Sequence, residues 1–234
     1  MTRPTSAPDS TAPTRPARAR RTDHPGAPRK GEHRPARPHP VLEQLAQLCP
    51  ALFGEALKPL KRGIYQDLLD THPDVLKADS LKAALALHTR STRYLSVVAS
   101  GQERHDLAGQ PVEALAPEHV HHALIEVFRR RQSRTPEDLA PKLRQRLALA
   151  FEASGLGREA YAALVQSRDP ATNAITQEAL DEAASRAARD DALLRAFEAS
   201  GQPMEQFADS YGLPAQDARR VLERARARKA SRTT

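Results

Sequence analysis

Thr89–Val112 reads TRSTRYLSVVASGQERHDLAGQPV. In a chain with only 4% aromatic residues, it sets Arg93 beside Tyr94 and follows them with Arg104 across a glycine-containing break. A guanidinium group pairs with phosphate oxygens in a planar fork, and a phenol can stack on a base or hydrogen-bond to a sugar. Thr89, Arg90 and Ser91 stand just ahead of this pair. At a predicted helix start, their hydroxyls and open backbone amides suit a phosphate or a terminal ribose. A second basic group, Lys58, Lys61 and Arg62, lies in KPLKRGIYQDLL, immediately before an amphipathic helix. There, side-chain charge adds to the pull of free N–H groups on phosphate. These positions form the candidate site, and their chemistry is that of holding a polyanion.

Catalytic arrangements are absent from the sequence by the same kind of reading. HVHH places His119 and His122 on one face of a predicted helix, but two imidazoles without a Cys or carboxylate at ligand spacing do not make a zinc site. A hydrated helix face is expected there. His105 and Asp106 are adjacent, so on a strand they point to opposite sides and cannot relay a proton between them. Neither a GxxxxGK[ST] loop nor a GxGxxG loop occurs. The single cysteine, Cys49, precedes Pro50 at the end of an apolar run and reads as a small buried hydrophobe. One cysteine forms no intrachain disulfide, which suits a reducing compartment. The sequence points to no enzyme, no metal and no cofactor.

The elements that must position the site follow from periodicity. Val41, Leu42, Leu45, Leu48 and Cys49 have helical spacing, and Pro50 ends that run. KRGIYQDLLDTH predicts a second helix before Pro73. A third, LKAALALHT, is expected to be capped by Asp79 or Ser80. STRYLSVVAS is a fourth, with Gly101 beyond its end. RHDLAGQPVEAL fits a small hairpin turning at Ala-Gly-Gln. PEHVHHALIEVFRRRQ is a helix with proline at its start and three arginines at its end, which suits the helix dipole. The fold class is therefore α+β, mainly helical.

Charge divides the 234 residues further. Residues 1–39 hold nine Lys/Arg against three Asp/Glu and no Leu, Ile, Val or Phe, so a disordered basic tail rich in Pro and Arg is expected. Residues 40–134 are almost neutral and form the domain that carries the candidate site. Residues 135–234 form a helical region in which an acidic stretch, net −6 over 135–218, precedes a basic end, net +6 over 219–234. Basic arms commonly meet nucleic acid. No apolar run is long enough to span a bilayer, and no signal-peptide core opens the chain. A soluble, cytoplasmic protein is expected.

AFEASG occurs at Ala150–Gly155 and again at Ala196–Gly201, 46 residues apart, which predicts a duplicated helical hairpin. In the second copy, MEQFADSYGLPAQDARRVLERARARK has the outline of a helix-turn-helix with Arg219, Arg220, Arg224, Arg226 and Arg228 on its second helix. A DNA-binding transcriptional regulator using that helix is the alternative reading, and a bundle with a solvated arginine face is the plain one. An acidic helical region that folds back over the basic site is a further possibility left open by the sequence.

The order of motifs carries a resemblance. KPLK-G-I at Lys58–Ile64, Thr-x-x-x-Arg-Tyr-Leu at Thr89–Leu95, Gly-x-x-Arg-x-Asp-Leu-x-Gly at Gly101–Gly109 and Glu-His-x-x-His-Ala at Glu118–Ala123 resemble the ProQ/FinO domain of bacterial RNA chaperones over about residues 40–133. The resemblance implies a mainly helical α+β domain with a small hairpin. Its implied ligand is structured RNA, typically a terminator-like hairpin with a single-stranded 3′ end. It also implies small regulatory RNAs and mRNA 3′ ends as partners, promotion of sense–antisense or small RNA–mRNA pairing in post-transcriptional regulation, and a monomer. Lys58, Lys61, Arg93, Tyr94 and Arg104 match the family's basic and Arg-Tyr positions, with Tyr94 and the helix start facing the 3′ end. The sequence departs from the pattern at His88, Thr92 and His105, where aromatic or aliphatic residues are common in relatives.

Overall fold

The computed structural model describes residues 39–233, with the side chains of 231–233 left aside. The expected N-terminal tail therefore lies outside the described residues, apart from His39. That residue belongs to the fold. Its Nδ1 accepts a hydrogen bond from Val41 N, capping α1 (Pro40–Leu48). Proline at the first helical position loses no intrahelical bond. Pro50 stops α1 as expected, and the same property lets it start a one-turn helix, α2 (Pro50–Phe53). Cys49 lies buried between them, and burial raises its thiol pKa.

Four further elements build the first layer. These are α3 (Ile64–Thr71), α4 (Ala78–Arg90), α5 (Thr92–Val98) and α6 (Pro117–Gln132). Between α5 and α6 a hairpin pairs β1 (Arg104–His105) with β2 (Pro111–Glu113), antiparallel and with a register shift. Gly109, at φ 76°, makes its turn, and an added Cβ would stand 2.8 Å from that of Ala51. Only glycine meets both demands. Two expectations shift. Helix α4 begins at Ala78 with Lys77 as N-cap, so Asp79 and Ser80 sit inside its first turn rather than capping it. Thr89 and Arg90 close α4 instead of opening the next helix; Ser91 alone caps α5.

The core of these helices contains Leu45, Leu52, Leu68, Leu81 and Leu124, and it does not stop at residue 134. Helix α7 (Ala140–Ser154) adds Leu143, Leu147 and Ala148, and α9 (Pro170–Ser200) adds Ala179 and Ala183 to the same core. Polar ties reinforce this seam. Buried Thr176 donates to Thr172 O, so its oxygen accepts from His121 Nε2 at 2.9 Å. Arg129 donates to Asp169 and Thr172 at the start of α9.

The sequence echo is a structural duplication. Each AFEASG ends a helix at a left-handed glycine, Gly155 and Gly201. Each is followed by a seven-residue helix, α8 (Arg158–Leu164) or α10 (Met204–Ser210). Each short helix buries one aromatic ring against the phenylalanine of its own echo. Tyr161 meets Phe151 at 5.2 Å, and Phe207 meets Phe197 at 5.1 Å. The long helices that follow are α9 and α11 (Ala215–Thr233). Equivalent positions also carry an ionic clasp of inverted sign. In the first copy Arg144 bonds Glu178 and Glu182 across to α9. In the second, 46 residues on, Asp190 bonds Arg224 and Arg228 across to α11.

The α10–turn–α11 unit has the expected outline, with Gly212 left-handed in its turn. Its cations are held within the protein. Arg219 pairs with Glu205, Arg220 with Asp217 and Lys229 with Glu198, and Arg226 lies over the Phe197 ring.

Asp190 is only 4% exposed and serves two arginines. Its replacement by Ala leaves both guanidinium groups without their shared anion. Because Arg224 and Arg228 reach partly into water, the loss is expected at about 2 kcal/mol, below the range for a fully buried pair. Urea denaturation measures it, and hydrogen exchange should show α11 amides losing protection before those of α4 and α6.

Candidate nucleic-acid interface

The candidate residues meet on one short segment. Between α2 and α3, residues 58–62 run beside β1, bridged parallel at Leu60 and His105. His105 N donates to Pro59 O at 2.7 Å, and Lys61 N donates to His105 O at 2.9 Å. The segment thus acts as a third strand, and its alternate side chains are displayed along the hairpin edge.

The backbone of Leu60 is the pivot. Its N–H donates to the Tyr94 hydroxyl at 3.0 Å, and its carbonyl accepts from Arg104 Nη1 at 2.9 Å. A tyrosine from α5 and an arginine from β1 are therefore fixed to one backbone unit. Arg93 donates from Nη2 to the carbonyl of Glu55. Lys58 Nζ donates to Gly109 O at 3.0 Å, across the hairpin turn. Arg62 N donates to Glu113 Oε1, and the Glu113 carboxylate also faces Arg62 Nε and Arg104 Nε, each at 3.7 Å. Lys61 pairs with Asp67 at 2.8 Å, which raises its pKa. Six of the nine candidate residues, Lys58, Lys61, Arg62, Arg93, Tyr94 and Arg104, are brought together in this way.

Thr89, Arg90 and Ser91 form the adjoining α4–α5 corner. The Thr89 hydroxyl donates back to Leu85 O, within its own helix. Ser91 Oγ accepts from Tyr94 N at 3.1 Å, so the cap hydroxyl already satisfies one amide of the helix start. Tyr94 differs from the expectation of a stacking surface. Its ring is 6% exposed and packs against His88 at 5.0 Å, which in turn packs on Phe53 at 4.9 Å. Burial raises the Tyr94 pKa. The phenol is a core residue whose polar end organises the surface above it.

Two partners were not singled out from sequence. Arg130 reaches from α6 to donate to Arg90 O at 2.7 Å and Thr92 Oγ1 at 3.1 Å, locking the α4–α5 corner. The Arg129–Arg131 run suggested only a favourable helix end, and nothing in its spacing shows which arginine turns inward. His119 accepts from Arg104 Nη2 at its Nδ1, 3.2 Å away; it is exposed, as is His122, so the hydrated face expected there also carries one contact to the candidate site. His121, its neighbour by two, is the buried one.

With this geometry in view, comparison with known proteins is informative. Residues 36–140 match the model of the ProQ/FINO family. They are a ProQ/FINO-family domain. A curated relative, RNA chaperone ProQ of Aeromonas hydrophila subsp. hydrophila, is 40% identical over 117 residues, covering 45% of this chain and 55% of the relative. RNA chaperone ProQ of Aeromonas salmonicida is 43% identical over 88 residues, covering 36% and 41%. The chain thus spans about half the length of the curated relatives it matches. Among solved structures, the NMR solution structure of a ProQ homolog from Legionella pneumophila aligns with TM-score 0.36 and 26% identity, over 49% of this chain and 99% of that one. The pivot residues Leu60, Tyr94 and Arg104, and the Arg130 corner, all fall inside the ProQ/FINO match.

Two outcomes follow from the site's interior. Tyr94→Phe deprives the buried Leu60 N–H of its acceptor and should lower stability by about 1–2 kcal/mol in urea denaturation. An unchanged midpoint would mean that the N–H finds another partner. His88 and His121 are both held down to about 4, first by burial, then by Arg93 for His88 and by His122 for His121. An unfolded histidine titrates near 6.5, so between about pH 6.5 and 4 the unfolded chain binds protons that the native chain refuses. Stability should be level above that window and fall through it on acidification, by up to roughly 1.4 kcal/mol per pH unit for each histidine. Urea midpoints measured across the window test this, and His88→Phe should flatten the slope.

Proposed function

We propose that this protein is an RNA-binding chaperone whose residues 40–134 hold structured RNA and whose residues 135–234 buttress that domain. The observation that carries the reading is the convergence of Arg93, Tyr94, Arg104 and Lys58 on the α2–α3 connection and the hairpin beside it, within a ProQ/FINO-family domain. Two curated relatives of that domain bear the name RNA chaperone ProQ, which supports the same reading.

The chemistry runs as follows. A-form duplexes are recognised by shape and backbone rather than by base edges. Arg93, Lys58 and Arg90 form no ion pair with a carboxylate among the described residues, and they supply charge for phosphates. Lys61 and Arg62 hold partly exposed carboxylates, contacts of small net worth that phosphate can replace. The site therefore favours hairpins with a free 3′ tail over any particular sequence. Small regulatory RNAs and mRNA 3′ ends are its proposed ligands, with the protein acting as a monomer in the cytoplasm. Residues 1–39, net +6, raise encounter rates and screen the repulsion between two RNA strands, promoting sense–antisense pairing.

Arg93→Ala should weaken binding of a terminator hairpin about tenfold, about 1.4 kcal/mol, in gel-shift titration at fixed salt. Wild-type affinity in this variant would remove Arg93 from the site. Deleting residues 1–39 should slow annealing of complementary strands more than it weakens hairpin binding, and equal annealing rates would count against a role for that segment.

A further inference from the structure

A cavity of about 380 Å³ opens where the end of α5, the lead into α6 and the outer face of α7 meet. Its walls are aliphatic, from Leu115, Val120, Leu149 and Ala150. Leu149 is 49% exposed at the rim, although it lies on a helix whose other leucines, Leu143 and Leu147, are buried. The cation of this cavity is Arg146. Its guanidinium is half-buried and donates from Nη2 to Ala99 O at 3.2 Å, at the end of α5. Among the described residues no carboxylate pairs with it. Burial, then repulsion from Arg131, lowers its pKa. Every other arginine that bridges α7 to a neighbouring helix meets an acid, as Arg144 does with Glu178 and Glu182.

A half-buried cation without an anion, set over an aliphatic floor, selects its ligand by chemistry. A metal ion is repelled by Arg146. A neutral apolar molecule fills the floor and leaves the guanidinium without a counter-charge. A polyanion brings hydrated phosphates against aliphatic walls. We propose that this cavity is a binding site for a small monocarboxylate with an apolar body, the carboxylate pairing with Arg146 and the body lying against Leu115, Val120 and Leu149. The volume falls within the range of small-molecule sites, and one well-placed charged group in an apolar lining is their usual composition. A carboxylate also matches the guanidinium fork better than a spherical anion does.

The test uses the full chain, hexanoate as probe, and hexan-1-ol and inorganic phosphate as controls, followed by amide resonances in two-dimensional NMR. Hexanoate should give saturable shifts at Ala99, Ser100, Gly101 and Ala150, at least about tenfold tighter than hexan-1-ol, a difference of about 1.4 kcal/mol. Phosphate should give none there. Arg146→Gln should abolish the preference for hexanoate over the alcohol. Because that change also removes a bond to α5, Leu149→Glu serves as a second variant. It lies at the exposed rim, keeps the Arg146 bond to α5, and should weaken both probes by removing an apolar wall, hexanoate more than the alcohol because the new carboxylate competes for Arg146. Hexanoate and hexan-1-ol binding equally to the unaltered protein, the preference for hexanoate persisting in Arg146→Gln, or no saturable shift at these amides would each overturn the proposal.

Discussion

The backbone of a single residue, Leu60, holds the candidate site together. Its N–H is given to a phenol from α5 and its carbonyl to a guanidinium from β1. A buried backbone group must be paired, and a strand of five residues has few ladder partners. Here side chains complete the pairing, so the same bonds that satisfy the backbone also fix Tyr94 and Arg104 in place. Arg93, one residue before the phenol, is thereby delivered to the Glu55 carbonyl, near the start of the connection from α2 to α3. The groups that present charge here are hung from bonds that the fold cannot leave unmade.

Much of this was legible in the sequence. Helical spacing, the proline and glycine punctuation and the Ala-Gly-Gln turn place α3, α5, α6 and the hairpin, and the quoted motifs single out the residues that converge. What escaped was orientation. The sequence leaves Tyr94 open as a stacking ring or a core residue, and the structure decides for the core, with its ring against His88, which packs in turn on Phe53. Which of three arginines at the end of α6 turns inward depends on the crossing of α5 and α6, which no local pattern encodes. His119 and His121 differ by two positions, and only the packing of α9 makes one buried and the other a surface acceptor. Thr89 looked like a helix-start hydroxyl, but such a hydroxyl can equally bond back to the preceding turn, as it does with Leu85 O.

The duplicated hairpins show which features of a repeat are under geometric control. The left-handed glycine, the short helix and the ring pair recur at equivalent positions, since each fixes how the chain reverses. The ionic clasp recurs with its signs exchanged, because a pair needs opposite charges and not a particular order. The exchange explains the composition of the region. The acidic positions of the first clasp lie on α9, while the basic positions of the second lie on α11, so a chain that looks split into an acidic stretch and a basic end is electrostatically matched within itself.

Helix α9 belongs to both hairpins. Its 31 residues hold no glycine, and its one proline is at the first position. At 1.5 Å per residue it runs for about 45 Å, without a point at which it could readily bend. One end is fastened to α6 through Thr176 and Asp169, and the other carries α10 and α11. The helix is thus a rigid strut. It fixes the reach and the angle at which α10 and α11 stand from α6.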